Sequence, residues 1–148
     1  MMFDQKLIFT GEKFSIKDEV IQYLANKAQE VGKLDSCESY IAAVKKREQE
    51  FSTAIGYGVA IPHGSDSAVK ESFVAVMTLS ESMLWDNNEV NMIFMIGVSP
   101  LNRTTDHLKI LSHLARDLMH DDFRNEVLKA KDSEELFNIL KKREELTI

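Results

Sequence analysis

Apolar positions along the chain change their period several times, and each change marks an element. Ile16, Val20, Ile21, Leu24, Ala28 and Val31 recur at helical spacing, with Ser15 and Asp18 set as an N-terminal cap and Gly32 as the stop. Asp35 and Glu38 form a similar cap before a second helix to about Glu48, whose face carries Cys37, Tyr40, Ile41 and Val44. Ser72 to Leu79 is β-rich, and Asn91 to Val98 is apolar on both faces, as suits a central strand covered by helices on each side. A third helix is predicted from about Asp106 to Met119 and a short one from Phe123 to Ala130. A last helix, Ser133 to Arg143, starts behind an Asp132–Glu135 cap and buries Leu136, Phe137 and Leu140. Residues 3–9 form a short strand or an ordered arm. This order predicts an α/β sandwich, one domain over residues 1–148, with a mixed central β-sheet flanked by helices on both faces.

The stretch from Ser52 to Gly64 is of another kind. Ile55, Tyr57, Val59 and Ile61 alternate as one face of a strand, while Gly56, Gly58 and Ala60 leave the other side nearly bare. Pro62 removes a backbone donor, so the ladder is expected to stop there, with His63 presented at the strand's end and Gly64 permitting a sharp exit. Arg47, in the last turn of the second helix and sixteen residues before His63, is delivered to the doorway of this stretch. Ser65 to Glu71 reads as a polar loop. Glu81 to Glu89 reads as another, in which Trp85 is a packing residue whose ring closes over the core edge. In the third helix His107 shares a stripe with Leu111, Leu114 and Leu118 and lies in the first turn. His113 shares a face with Asp106 and Asp117 and is expected to meet solvent, and His120 to sit in an exposed loop.

Composition narrows the function. At 148 residues with 44% hydrophobic content the chain can bury a sizeable core. Its longest apolar run, Met92 to Val98, is seven residues, far short of a membrane span, and the N-terminus lacks the apolar core of a signal peptide. The protein is therefore expected to stay in the cytosol without direct membrane insertion. A lone cysteine, Cys37, makes no internal disulfide. The net charge of −6 argues against nucleic acid as a partner, and the basic clusters Lys45-Lys46-Arg47 and Lys141-Lys142-Arg143 both fall at helix ends, where cations complement the macrodipole. Four histidines and one cysteine at irregular spacing offer no zinc pattern, and neither a dinucleotide fingerprint nor a P-loop occurs, so no metal or cofactor is expected. A hydrolase nucleophile turn is also missing.

A histidine that carries a phosphoryl group needs a neutral ring nitrogen as nucleophile, room before it, and donors for the phosphoryl oxygens. The group would bring about −1.5 to −2 charges, for which an arginine and a second imidazole are suitable neighbours. Arg47 and His107 are the residues best placed by pattern to converge on His63, and backbone amides at the start of the His107 helix would add donors. Each residue also has a plain structural reading: His63 as a turn residue, His107 as a core-edge histidine, Arg47 as a helix-end cation.

The block "KKREQEFSTAIGYGVAIPHG", followed by "MIFMIGVSP" and "DHLKILSHLARDL", resembles the enzyme IIA domain of the fructose–mannitol class (type 2) of the phosphoenolpyruvate-dependent sugar phosphotransferase system, from about residue 7 to about residue 140. The resemblance implies a cytoplasmic phosphotransferase component. His63 would be the phosphorylated residue, Arg47 the motif arginine that stabilises the phosphoryl charge, and His107 the second active-site histidine. It also implies the phosphocarrier HPr as donor and a IIB domain of the cognate permease as acceptor, on the way to an incoming sugar. The chain is expected to act as a free-standing IIA. A nitrogen-type regulatory IIA, controlling partners through its phosphorylation state, is the alternative within the same resemblance.

Overall fold

The computed structural model describes residues 3–146, apart from the side chains of residues 102–108, 111 and 146. In chain order the elements are β1 (Phe3–Glu12), α1 (Lys17–Glu30), α2 (Cys37–Glu50), β2 (Ala54–Gly56), β3 (Val59–Ala60), β4 (His63–Ser65), β5 (Phe73–Trp85) and β6 (Asn88–Val98). A short 3-10 turn, Pro100–Asn102, then leads into α3 (Arg103–Leu118), α4 (Asp121–Lys129) and α5 (Ser133–Leu146). The six strands make one mixed sheet in the order β1-β5-β6-β3-β2, with β4 also paired to β6. β1 runs parallel to β5, β5 and β6 are antiparallel, and β3 and β4 follow one another parallel to β6.

The two-sided apolarity of β6 does what the pattern predicts. Val90, Ile93 and Met95 enter one core with Val20, Ile21 and Leu24 of α1 and Tyr40 and Val44 of α2. Met92, Phe94, Ile96 and Val98 enter the other, with Leu114 and Leu118 of α3, Phe123 and Val127 of α4, and Leu136 and Leu140 of α5. Helices thus cover both faces, and the sandwich expected from the order of elements is the fold observed.

Helix ends follow local chemistry, with two corrections. Gly32, at φ +83°, closes α1 as expected: its N–H donates to Gln29 O and that of Lys33 to Ala28 O, satisfying carbonyls the helix leaves open. Asp132 caps α5 by accepting from Glu135 N at 2.8 Å. The Ser15–Asp18 cap is not made; Ile16 stands at the cap position of α1 and Asp18 and Glu19 meet the helix dipole in the first turn. In α2 the cap is Ser36, whose Oγ accepts from Ser39 N, since the helix begins one residue later than the Asp35 cap requires; Asp35 N donates instead to Ala68 O.

Four further readings change. Glu81 to Glu89 is not a loop: β5 continues to Trp85 and β6 begins at Asn88, in a hairpin whose turn holds Asp86 at φ +58°. Met83 and Trp85 face the core and Leu84 faces water, so the polar residues here line the outer face of a two-stranded ribbon. Trp85 is wholly buried within the core rather than closing over its edge. Asp117 is also buried, accepting from Arg143 Nε at 3.1 Å, and His113 is half-buried beside Phe3, Leu140 and Arg143, because β1 and α5 cover the face of α3 that its own periodicity leaves to solvent. Lastly, the loop after Ser65 buries Ala68 and Val69, with Val69 bridged to Leu34. His120 is exposed as expected, at the N-cap of α4.

Candidate functional site

The glycine-rich stretch is folded more tightly than one strand. Gly56, Tyr57 and Gly58 all take positive φ, at 96°, 59° and 78°, and turn β2 back on β3 as a hairpin. Ile55 and Tyr57 are therefore exposed, while Val59 and Ile61 are buried, which corrects the single-face alternation. Gly58 is further restricted by Asn91, whose Oδ1 lies 2.7 Å from where a Cβ would be. The Arg124 guanidinium of α4 stacks 4.3 Å from the centre of the Tyr57 ring and holds the hairpin tip.

Pro62 interrupts the ladder without ending it. Its carbonyl accepts from Ile96 N at 2.9 Å, and the chain then resumes pairing with His63 opposite Ile96, Gly64 opposite Gly97 and Ser65 opposite Val98. His63 therefore opens a strand instead of closing one. Gly64 does not make a sharp exit either, since its φ is not positive; it is needed because α2 lies so near that an added Cβ would meet Val44 Cγ2 at 3.2 Å and Val44 N at 3.3 Å.

This closeness builds a cleft of about 640 Å³ between β4 and α2. His63, Gly64, Ser65 and Asp66 form one wall; α2 supplies the other from Ser39, Ala42 and Ala43 to Lys46, Arg47 and Glu50. His63 and Arg47 thus share one cleft, as their positions predicted. The half-buried His63 ring places Nδ1 2.9 Å from Ile61 O. A carbonyl only accepts, so Nδ1 carries the proton in this contact, and in that tautomer of a neutral imidazole the nucleophilic lone pair is the one on Nε2. Arg47 Nη1 donates to Phe51 O at 2.8 Å, which fixes the guanidinium against the chain leaving α2.

Two residues behind this wall were not singled out by sequence. Tyr40 is wholly buried and its hydroxyl donates to Ile96 O at 2.7 Å, tying α2 to the β6 residue registered against His63. Burial holds its phenol far above the ordinary tyrosine range. Glu48 is buried at 8% exposure and accepts from Thr53 N at 3.4 Å, from Thr53 Oγ1 and from Trp85 Nε1 at 3.1 Å, with Lys17 Nζ at 3.6 Å. Burial pulls the Lys17 ammonium down, but the hydrogen bond to Asp86 and the Glu48 and Asp86 charges outweigh it and hold the pKa above its usual value. That same Lys17 hydrogen bond holds Asp86 below the usual carboxylate range. The available signal for Glu48 was its place at four residues beyond Val44, on the buried stripe of α2.

His107 falls in α3, which starts at Arg103 and so places this residue beyond the first turn; its side chain lies outside the described residues. α3 follows closely after β6, whose end pairs with β4. Among the described residues, no group of three or more His, Cys, Asp or Glu is disposed to hold a metal ion, and no helix is long and apolar enough to cross a membrane.

Residues 1–143 match the family described as phosphoenolpyruvate-dependent sugar phosphotransferase system, EIIA 2. The chain belongs to this EIIA family. Such domains are phosphotransferase components that pass a phosphoryl group through a histidine. Among curated relatives, the fructose-specific EIIA component of Haloferax volcanii is 33% identical over 138 residues, covering 91% of this chain and 89% of its own. The 2-O-alpha-mannosyl-D-glycerate-specific EIIABC component of Escherichia coli is also 33% identical, over 86% of this chain, which spans only 20% of that longer protein. Among solved structures, the nitrogen regulatory IIA protein of Neisseria meningitidis superposes with a TM-score of 0.84 at 27% identity, over 94% of this chain and 96% of that one. The mannitol IIA of Escherichia coli gives 0.79 at 20% identity, over 95% and 99%, a likeness of fold.

Proposed function

We propose that this EIIA protein, acting as one domain over residues 1–148, accepts a phosphoryl group from phospho-HPr on His63 Nε2 and passes it to a IIB component for sugar uptake and phosphorylation. The observation that carries this reading is the His63 Nδ1–H contact with Ile61 O, made inside the cleft that also holds Arg47. The Nε2 lone pair attacks phosphorus as the donor's nitrogen–phosphorus bond breaks, and the donor nitrogen keeps that electron pair. His63 retains its Nδ1 proton, so the phosphorylated ring is cationic and the Ile61 carbonyl faces its positive edge. This keeps the new bond labile enough for the second transfer. Arg47 supplies charge-assisted donors to the phosphoryl oxygens, each contributing about 1.5–3 kcal/mol. His107 is assigned the role of orienting or hydrogen-bonding the phosphoryl group from α3.

The IIB partner is supported by a neighbour in fold: the Escherichia coli complex of enzyme IIAMTL with phosphorylated enzyme IIBMTL, TM-score 0.80 at 18% identity. Fructose-class transport is supported by the Haloferax relative and mannitol by folds alone. A cytoplasmic location follows from the proposed exchange of the phosphoryl group with HPr. One observation favours the regulatory alternative: the nitrogen regulatory IIA superposes better and at higher identity than the mannitol protein.

Incubation with enzyme I, HPr and radiolabelled phosphoenolpyruvate tests the reading. Acid-labile, base-stable label is expected on the wild type and none on His63→Ala. A folded wild type that takes no label, beside a competent control EIIA, would overturn it. Transfer onward to a IIB domain then selects the carrier, and phosphorylation-dependent capture of a non-transporter protein selects the regulator.

A further inference from the structure

We propose that Lys46 is a second phosphoryl-contacting residue of the cleft, acting with Arg47 on the group that His63 carries; this rests on the phosphocarrier reading above. The cleft wall of α2 is a helical stripe in which Ser39, Ala42 and Ala43 are small, and the next turn presents two adjacent cations, Lys46 and Arg47. Lys46 lines the cleft from the α2 wall, with His63 on the opposite wall, and its long flexible stem gives the ammonium reach into the space between them.

The neighbouring charges have other tasks. Lys45 is turned away to Asp18, 3.8 Å off. Arg47 spends one donor on Phe51 O. Asp66 accepts from Ser39 Oγ at 2.7 Å and from Ala68 N at 2.9 Å, which fixes it at the rim. Among the described residues no carboxylate lies within ion-pair distance of Lys46; Glu50, one turn on, lines the cleft without reaching it.

Charge balance gives Lys46 its part. The cleft is lined by two cations and two carboxylates, Lys46, Arg47 and Glu50 on the α2 wall and Asp66 opposite. The incoming group adds about −1.5 to −2 charges, more than Arg47 alone offsets. In the loose transition state of phosphoryl transfer that charge spreads over three equatorial oxygens, where an ammonium on a flexible stem adds donors beside the planar fork of arginine. Lys46 forms no covalent bond and gives up no proton.

The test compares wild type, Lys46→Gln, Lys46→Glu and Lys46→Arg as full chains, measuring kcat and KM for phospho-HPr. Lys46 is exposed, so thermal stability stays at the wild-type value. Expected is a loss of about tenfold in kcat for Lys46→Gln, as removal of one hydrogen bond to a charged group implies, with KM little changed. Lys46→Glu is expected to lose more, and Lys46→Arg to recover most of the rate. A kcat within about twofold of wild type in both Lys46→Gln and Lys46→Glu overturns the proposal, as does a change confined to KM, which would make Lys46 a docking contact only. Failure of the phosphocarrier reading is distinct, since then the wild type takes no label or His63→Ala takes it equally.

Discussion

The Tyr40 hydroxyl donates to the carbonyl of Ile96, and Ile96 is the residue of β6 registered against His63. One buried hydrogen bond at 2.7 Å therefore ties the helix that carries Arg47 to the strand that positions the imidazole. Tyr40→Phe leaves that carbonyl without its donor and is expected to cost about 1–2 kcal/mol. The loss also has a pH signature. In the unfolded chain the phenol ionises near its ordinary pKa of about 10, whereas burial keeps the folded phenol protonated well above that. The folded state holds a proton that the unfolded state releases, so the contribution is complete below about pH 10 and is lost as pH rises further. Chemical denaturation at pH 8 to 11 should show wild-type stability falling more steeply than that of Tyr40→Phe. Lys17, raised in the same direction, is common to both proteins and cancels in the difference.

Glu48 gathers the end of α2, the segment before β2 and the β5 ribbon onto one carboxylate. Glu48→Ala strands the Trp85 N–H and both Thr53 donors, and removes one of the two carboxylates paired with Lys17, so a loss of about 3 kcal/mol is expected. Glu48→Gln keeps an acceptor for Trp85 and should lose about 1 kcal/mol. Urea unfolding followed by Trp85 fluorescence measures both. Equal losses in the two variants would mean that charge, not acceptance, is what this position supplies.

What could be read beforehand divides along a physical line. Period and capping signals are local, so the helices, the central strand β6 and the Asp132 cap were legible. That Arg47 and His63 line one cleft was legible because they lie close in sequence, at the end of a helix and just beyond the glycine-rich stretch that follows it. Burial imposed from far along the chain was not. Asp117 looks solvent-facing from its own helix, and it is β1 and α5, the latter through Arg143, that cover it. Glu48 has its indole partner 37 residues away. Polar residues around Ser80 and Asn88 imitate a loop because the outer face of a hairpin ribbon is also polar. The alternation through Tyr57 misled in the opposite sense: the glycines on either side of it signal a turn, whose positive φ values reverse the chain within one apparent strand.

Gly64 sets how closely α2 approaches His63. A methyl there would stand 3.2 Å from Val44 Cγ2, which can rotate, but also 3.3 Å from Val44 N, which is backbone. Gly64→Ala is thus expected to cost about 1–2 kcal/mol and to shift the wall bearing Arg47 outward. Phosphoryl transfer should fall by about tenfold or more, because small displacements of a charge-stabilising group are costly in rate. Adding Val44→Ala relieves only the side-chain contact, so the double variant should recover little of the transfer rate. Full recovery would show that the helix had not moved.

The tautomer of His63 is fixed by its neighbour at Ile61. Ile61 N donates to Thr53 O at 3.0 Å, and residue 62, being proline, offers no N–H, so the ladder is interrupted where the Ile61 carbonyl meets the ring. With Nδ1 held as a donor, the proposed phosphorylation is expected on Nε2. Long-range proton–nitrogen NMR of the unphosphorylated protein above the histidine titration should show protonated Nδ1 and unprotonated Nε2 for His63, and phosphorus coupling to Nε2 after reaction with phospho-HPr. His113, in its separate crevice beside Arg143, should show no phosphorus coupling and serves as the internal reference. A His63 proton found on Nε2, or phosphorus bonded to Nδ1, would mean that the Ile61 carbonyl does not direct the chemistry, whatever the transfer rate.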